Sequence, residues 1–121
     1  MPFSDFRVFT IEEANALVPK IARLTERTQR RLDALGAPVD GDKDGLDDAA
    51  RRIIETWARS VLVHGGQPKG VFTVDFRAPD PNLLWCWAPG ERAICHRHFT
   101  WESFRDRVSI SQRDDFWPGR N

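Results

Sequence analysis

Gly70-Val71-Phe72-Thr73-Val74-Asp75-Phe76-Arg77 is the stretch in which the chain changes rhythm. Upstream, apolar residues recur every three or four positions. Within it, Phe72, Val74 and Phe76 alternate with Val71, Thr73, Asp75 and Arg77, the two-residue period of a strand with unlike faces. A breaker cluster, Ala78-Pro79-Asp80-Pro81-Asn82, ends the run. Leu83-Leu84-Trp85-Cys86-Trp87 follows, apolar on both faces and so a central strand, and Ala88-Pro89-Gly90-Glu91 turns the chain into a third strand over Arg92 to His98. The pattern predicts a three-stranded antiparallel β-meander, with a short C-terminal helix over Thr100 to Asp106.

Upstream of residue 70 the helical period dominates. Thr10-Ile11-Glu12-Glu13 has the form of a capping box. Ile11, Ala14, Leu17, Ile21, Leu24, Thr28, Leu32 and Leu35 then wind one stripe along a helix that Pro19 should bend and Gly36 and Pro38 should end. A second helix carries Leu46, Ala49, Ala50, Ile53, Trp57 and Val61 opposite Asp47, Asp48, Arg51 and Glu55, and stops at His64-Gly65-Gly66. The short connection favours an antiparallel hairpin. The expected fold is therefore α+β: a long antiparallel helical hairpin packed on the meander, with residues 1–110 as a single domain and 111–121 as a loosely held tail in which Phe116-Trp117-Pro118 offers a docking element.

Composition narrows the function classes. The 121 residues suit one domain, and 18 basic against 18 acidic side chains leave no net field to attract a polyanion. Lys20, Arg23, Arg27, Arg30 and Arg31 form a basic stripe on the first helix, but Glu26 and Asp33 lie beside it, so a solvated face is preferred and nucleic acid is an unlikely partner. Two cysteines cannot frame a disulfide scaffold, and the N-terminus has no signal pattern. A cytoplasmic protein that does not enter a membrane is expected, since no apolar run approaches about 20 residues.

The opening Phe9-Thr10-x-Glu12-Glu13-Ala14-Asn15-x-Leu17-x-Pro19, then Val74-Asp75-Phe76, Cys86-Trp87-x-x-Gly90-Glu91, His98, Phe104 and Arg107, resembles the bacterial domain of unknown function family 2203. The resemblance spans most of the chain. It implies a small cytosolic bacterial protein with an α+β fold and implies no reaction. Arg97 and Phe99 stand where the family pattern has a tryptophan and an acid, and Ser103 and Asp106 where glycine is expected nearby.

Three groups of residues could carry chemistry. His96 and His98, two apart on a strand, point to one side and could share a divalent transition metal, zinc or iron, with an oxygen of Glu91 or Asp75 as third ligand. Cys95 has the wrong parity to join them, which argues against a closed Cys-Cys-His-His site, and Cys86 between two tryptophans reads as a small buried hydrophobe. Asp40, Asp42 and Asp44 copy the start of a calcium-binding loop, but Arg51 stands where the bidentate glutamate belongs, so a polar turn favouring the start of the second helix is preferred. Trp85, Trp87 and Trp101, with Trp117, are too many for one small sheet to cover, and such aromatic surface suits an interface with a second copy or another protein. No nucleophile elbow or phosphate loop is present. The leading expectation is a non-catalytic binding or assembly module; the alternative is a metal-binding protein or small metal-dependent enzyme.

Overall fold

The computed structural model describes residues 7–110. The capping box forms as read: the Glu13 amide donates to the Thr10 hydroxyl at 3.1 Å, and the Thr10 amide to the Glu13 carboxylate at 2.8 Å. It starts α1 (Ile11–Asp33), with Pro19 inside it. Gly36, at φ 65°, turns the chain away after the C-cap. Asp42 caps α2 (Lys43–Val63) by accepting the Gly45 amide at 2.9 Å.

The buried positions of α1 are Ala14, Val18, Ile21, Thr25 and Thr28, the three-four spacing of one helical stripe. Two of the five are threonines. Each bonds its hydroxyl to the carbonyl one turn back, and Thr25 also accepts the indole N–H of Trp57 at 2.9 Å in the buried contact with α2. That bond lets a fully buried tryptophan sit in the core without an orphaned donor.

The sheet is antiparallel and has five strands in sequence order, not the three expected: β1 (Gln67–Lys69), β2 (Thr73–Arg77), β3 (Leu83–Trp87), β4 (His96–Phe99) and β5 (Val108–Ser109). The third expected strand begins at His96 rather than Arg92, because residues 88–95 are held as a loop by Glu91: its side chain accepts the Ala88 amide and its carbonyl accepts the Trp87 indole N–H, both at 2.8 Å. The expected C-terminal helix is also absent. Phe104–Asp106 makes one 3-10 turn, since Ser103 and Asp106 close a box only three residues wide and Arg107 is already extended towards β5. The expected tail, residues 111–121, lies outside the described residues.

The helices cover one face of this sheet. Val74, Phe76 and Trp87 point towards α1 and α2 and join Phe9, Ile21 and Trp57 in a single core. Phe72 belongs to this core but not to a strand. It sits in the left-handed region at φ 72°, a strain of about 1–2 kcal/mol for a residue with a side chain, and its ring meets Trp57 edge-on at 5.2 Å. Gly66 lies where α2 turns into β1; a Cβ there would fall 2.8 Å from Val74 and 3.1 Å from Val61. Only a hydrogen fits.

Candidate metal site

The other face of the sheet carries the polar residues. Asp75 pairs with Cys86 across β2 and β3, Cys86 pairs with His96 across β3 and β4, and His98 lies two residues along β4 on the same side. Residues 100–107 fold back over this face. The Phe104 ring meets His98 edge-on at 6.3 Å, and the Arg107 guanidinium lies 4.6 Å above the Phe104 ring while binding Glu91 through both nitrogens, at 2.9 and 3.2 Å. The result is a polar row with three of its four members sealed from solvent: Asp75 is 1% exposed, Cys86 0% and His98 3%, while His96 is half-buried.

Within it, one ligand atom each from Asp75, Cys86 and His98 lies within 4.8 Å of the others. His98 reaches over the small Cys86 side chain to place Nε2 3.1 Å from Asp75 Oδ2, while its Nδ1 lies 2.8 Å from the Phe99 carbonyl. A carbonyl only accepts, so Nδ1 carries the hydrogen, and Nε2 of a neutral ring then turns its lone pair towards a carboxylate oxygen. A proton or a metal cation must lie between two such acceptors. Asp75 Oδ1 is buried and has no hydrogen-bond partner.

The electrostatics fit a site that stays neutral. Burial pushes the Asp75 carboxyl above its usual range, against the pull of His98, and burial followed by the Asp75 charge pushes the Cys86 thiol far up. With a divalent ion, a Cys86 thiolate and an Asp75 carboxylate cancel both charges, and the His98 N–H to a backbone carbonyl fixes the ring as an Nε2 ligand. Bonds of about 2.0–2.3 Å in a tetrahedron set ligand atoms about 3.3–3.8 Å apart, so His98 Nε2 and Asp75 Oδ2, 3.1 Å apart, would have to separate slightly around an ion.

The residues expected at a metal site are thus divided. Asp75 and His98 come together. Glu91 and His96 form a neighbouring pair, with Glu91 Oε2 3.2 Å from His96 Nδ1 and committed to Arg107. Cys86, read from the sequence as a small buried hydrophobe, is fully buried beside Asp75 and His98, and Cys95 is exposed in the loop that precedes β4. Asp40, Asp42 and Asp44 lie exposed at the start of α2, where Asp42 is the cap. Of the tryptophans, Trp87 is core, Trp85 is half-buried with its N–H on the Phe9 carbonyl at 3.0 Å, and Trp101 is 69% exposed; Trp117 lies outside the described residues.

A family model matches residues 7–110, most of the chain. The chain belongs to the DUF2203 family, described as an uncharacterized conserved protein. No curated protein and no solved structure matches it. Within the matched range, Asp75, Cys86 and His98 are the buried trio, Phe104 and Arg107 close over it, and Asn15 accepts the Ile94 amide at 2.6 Å, tying α1 to the loop before β4. Among the described residues, no helix is long and apolar enough to cross a membrane.

Proposed function

We propose that this DUF2203 protein binds a divalent transition metal through Asp75, Cys86 and His98. The observation that carries the reading is the buried trio with ligand atoms within 4.8 Å, one of whose members has an oxygen without a partner. Buried polar atoms are nearly always bonded, and an ion among these three would satisfy the unpartnered oxygen and the His98 lone pair while replacing the long contact, 3.8 Å, of the Cys86 thiol with the Leu84 carbonyl. Thiolate, imidazole and carboxylate in one site suit zinc or ferrous iron and disfavour calcium and magnesium, which take oxygen ligands.

Elemental analysis of protein purified without an affinity tag or chelator tests this. About one equivalent of zinc or iron is expected, with loss in Cys86→Ser and His98→Ala. Native protein that holds no metal after incubation with either ion would end the reading.

A second reading, self-association, has its own observation. Trp101 is exposed and stacks on Phe99 with ring centroids 4.8 Å apart and planes 7° from parallel, a flat aromatic step beside β4. Light scattering over a concentration series should show a dimer that Trp101→Ala weakens; a monomer at every concentration would remove it.

A further inference from the structure

Within the described residues, two buried side-chain polar atoms lack a hydrogen-bond partner, and they flank the same cysteine. They are Asp75 Oδ1 and His96 Nδ1. Asp75 and His96 are the cross-strand partners of Cys86 on its two sides, so the three residues form one row on one face. Side chains opposed in this way start about 4.5–5.5 Å apart at Cβ.

His96 has a neighbour but no bond. Its Nδ1 lies 3.2 Å from Glu91 Oε2 without hydrogen-bond alignment, and Glu91 does not need it. Arg107 already takes both carboxylate oxygens of Glu91, at 2.9 and 3.2 Å, and the Ala88 amide donates to Oε1 at 2.8 Å. Turning the imidazole away from Glu91 therefore breaks no hydrogen bond and leaves the carboxylate neutralised.

We infer that His96 supplies the fourth ligand, turning its ring from Glu91 towards Cys86 so that Asp75, Cys86, His96 and His98 hold the ion as a closed tetrahedral set. This rests on the metal reading above. His96 and His98 are two apart on β4 and share its inner side, the spacing at which two imidazoles reach one ion. Four protein ligands leave no position for water, which makes the ion a structural clasp across β2, β3 and β4 rather than a catalytic centre. The ligand class is a tetrahedral, thiophilic divalent cation such as zinc, with cobalt(II) as its spectroscopic substitute.

Cobalt(II)-loaded protein separates the possibilities. Native protein should show a thiolate-to-cobalt charge-transfer band and intense tetrahedral visible bands, neither changed by millimolar azide. His96→Ala should keep the charge-transfer band, bind cobalt about tenfold or more weakly, and acquire visible bands that shift with azide. If native protein already responds to azide, or if His96→Ala matches it in affinity and spectrum, water holds the fourth position and the inference fails while the three-ligand site stands. If cobalt gives no charge-transfer band in native protein, both fail. The azide titration of native protein needs no variant, so misfolding of His96→Ala would not protect the inference.

Discussion

His98 on β4 and Asp75 on β2 meet at 3.1 Å across the strand that separates them, with neither reaching solvent. Because the Phe99 carbonyl holds the other ring nitrogen, this contact has one geometry. In chelator-treated protein, His98→Ala should cost about 2–4 kcal/mol, between the penalty for a buried unsatisfied polar group and that for a broken buried pair. Asp75→Ala/His98→Ala should lose less than the sum of its single variants. Urea unfolding of the four proteins checks this, and additive losses would contradict it.

Burial holds the Asp75 carboxyl above its ordinary value. The folded protein then keeps a proton at pH values where the unfolded chain has released it. The stability linked to this carboxyl is complete below the unfolded value and is lost as pH rises through the raised folded one. Across that window, metal-free Asp75→Asn should lose less stability per pH unit than native protein. Unfolding curves collected from the acid side of the carboxylate range upward would show equal slopes if the carboxyl were not perturbed.

Zinc binding should displace both the Cys86 thiol proton and the proton that lies between Asp75 and His98. Both leave because thiolate and carboxylate are the binding forms. Calorimetric titration at neutral pH in buffers of different ionisation enthalpy measures the release. Binding enthalpies independent of buffer would mean that no proton leaves, contrary to a thiolate ligand.

The parts of this fold readable without coordinates are those that local chemistry determines. Thr10 and Glu13 announce a capping box within four residues, and Val74 and Phe76 announce a strand by alternation. β1 gives no such signal. Gln67-Pro68-Lys69 has no apolar alternation and contains a proline, which a strand tolerates at a sheet edge. Cys86 was hidden for a different reason. Its place between Asp75 and His96 is set by the register of two hairpins, and that register depends on how residues 78–82 and 88–95 are folded. The second of these loops is shaped by Glu91, whose side chain and carbonyl bind groups on either side of the turn. Strand parity says nothing of Cys95, which lies exposed in the loop before β4.

Gly66→Ala should destabilise the protein by about 1–3 kcal/mol through overpacking, since the new methyl would meet Val74, Val61 and Phe76 side chains that are themselves fully buried. Gly36→Ala, with open space around it, should cost only the strain of its left-handed backbone, about 1 kcal/mol. Thermal unfolding ranks the two; equal losses would show that the α2–β1 corner relaxes freely.

Thr25→Val preserves shape but removes the acceptor for the Trp57 indole. A loss of about 1–3 kcal/mol is expected for a donor left unpaired in the core. Denaturant unfolding followed by circular dichroism checks it, and a neutral result would mean that Trp57 finds another acceptor.

The sheet keeps grease on one side and the acid, thiol and imidazoles on the other, with Trp87 and Cys86 adjacent in β3 yet pointing to opposite worlds. Adding or deleting a single residue inside β3 would exchange them, driving an indole into the polar pocket and a thiol into the helical interface. Change within β3 is therefore confined to replacement, one letter for another, and the loops at its two ends must preserve the register that sets Cys86 opposite Asp75 and His96.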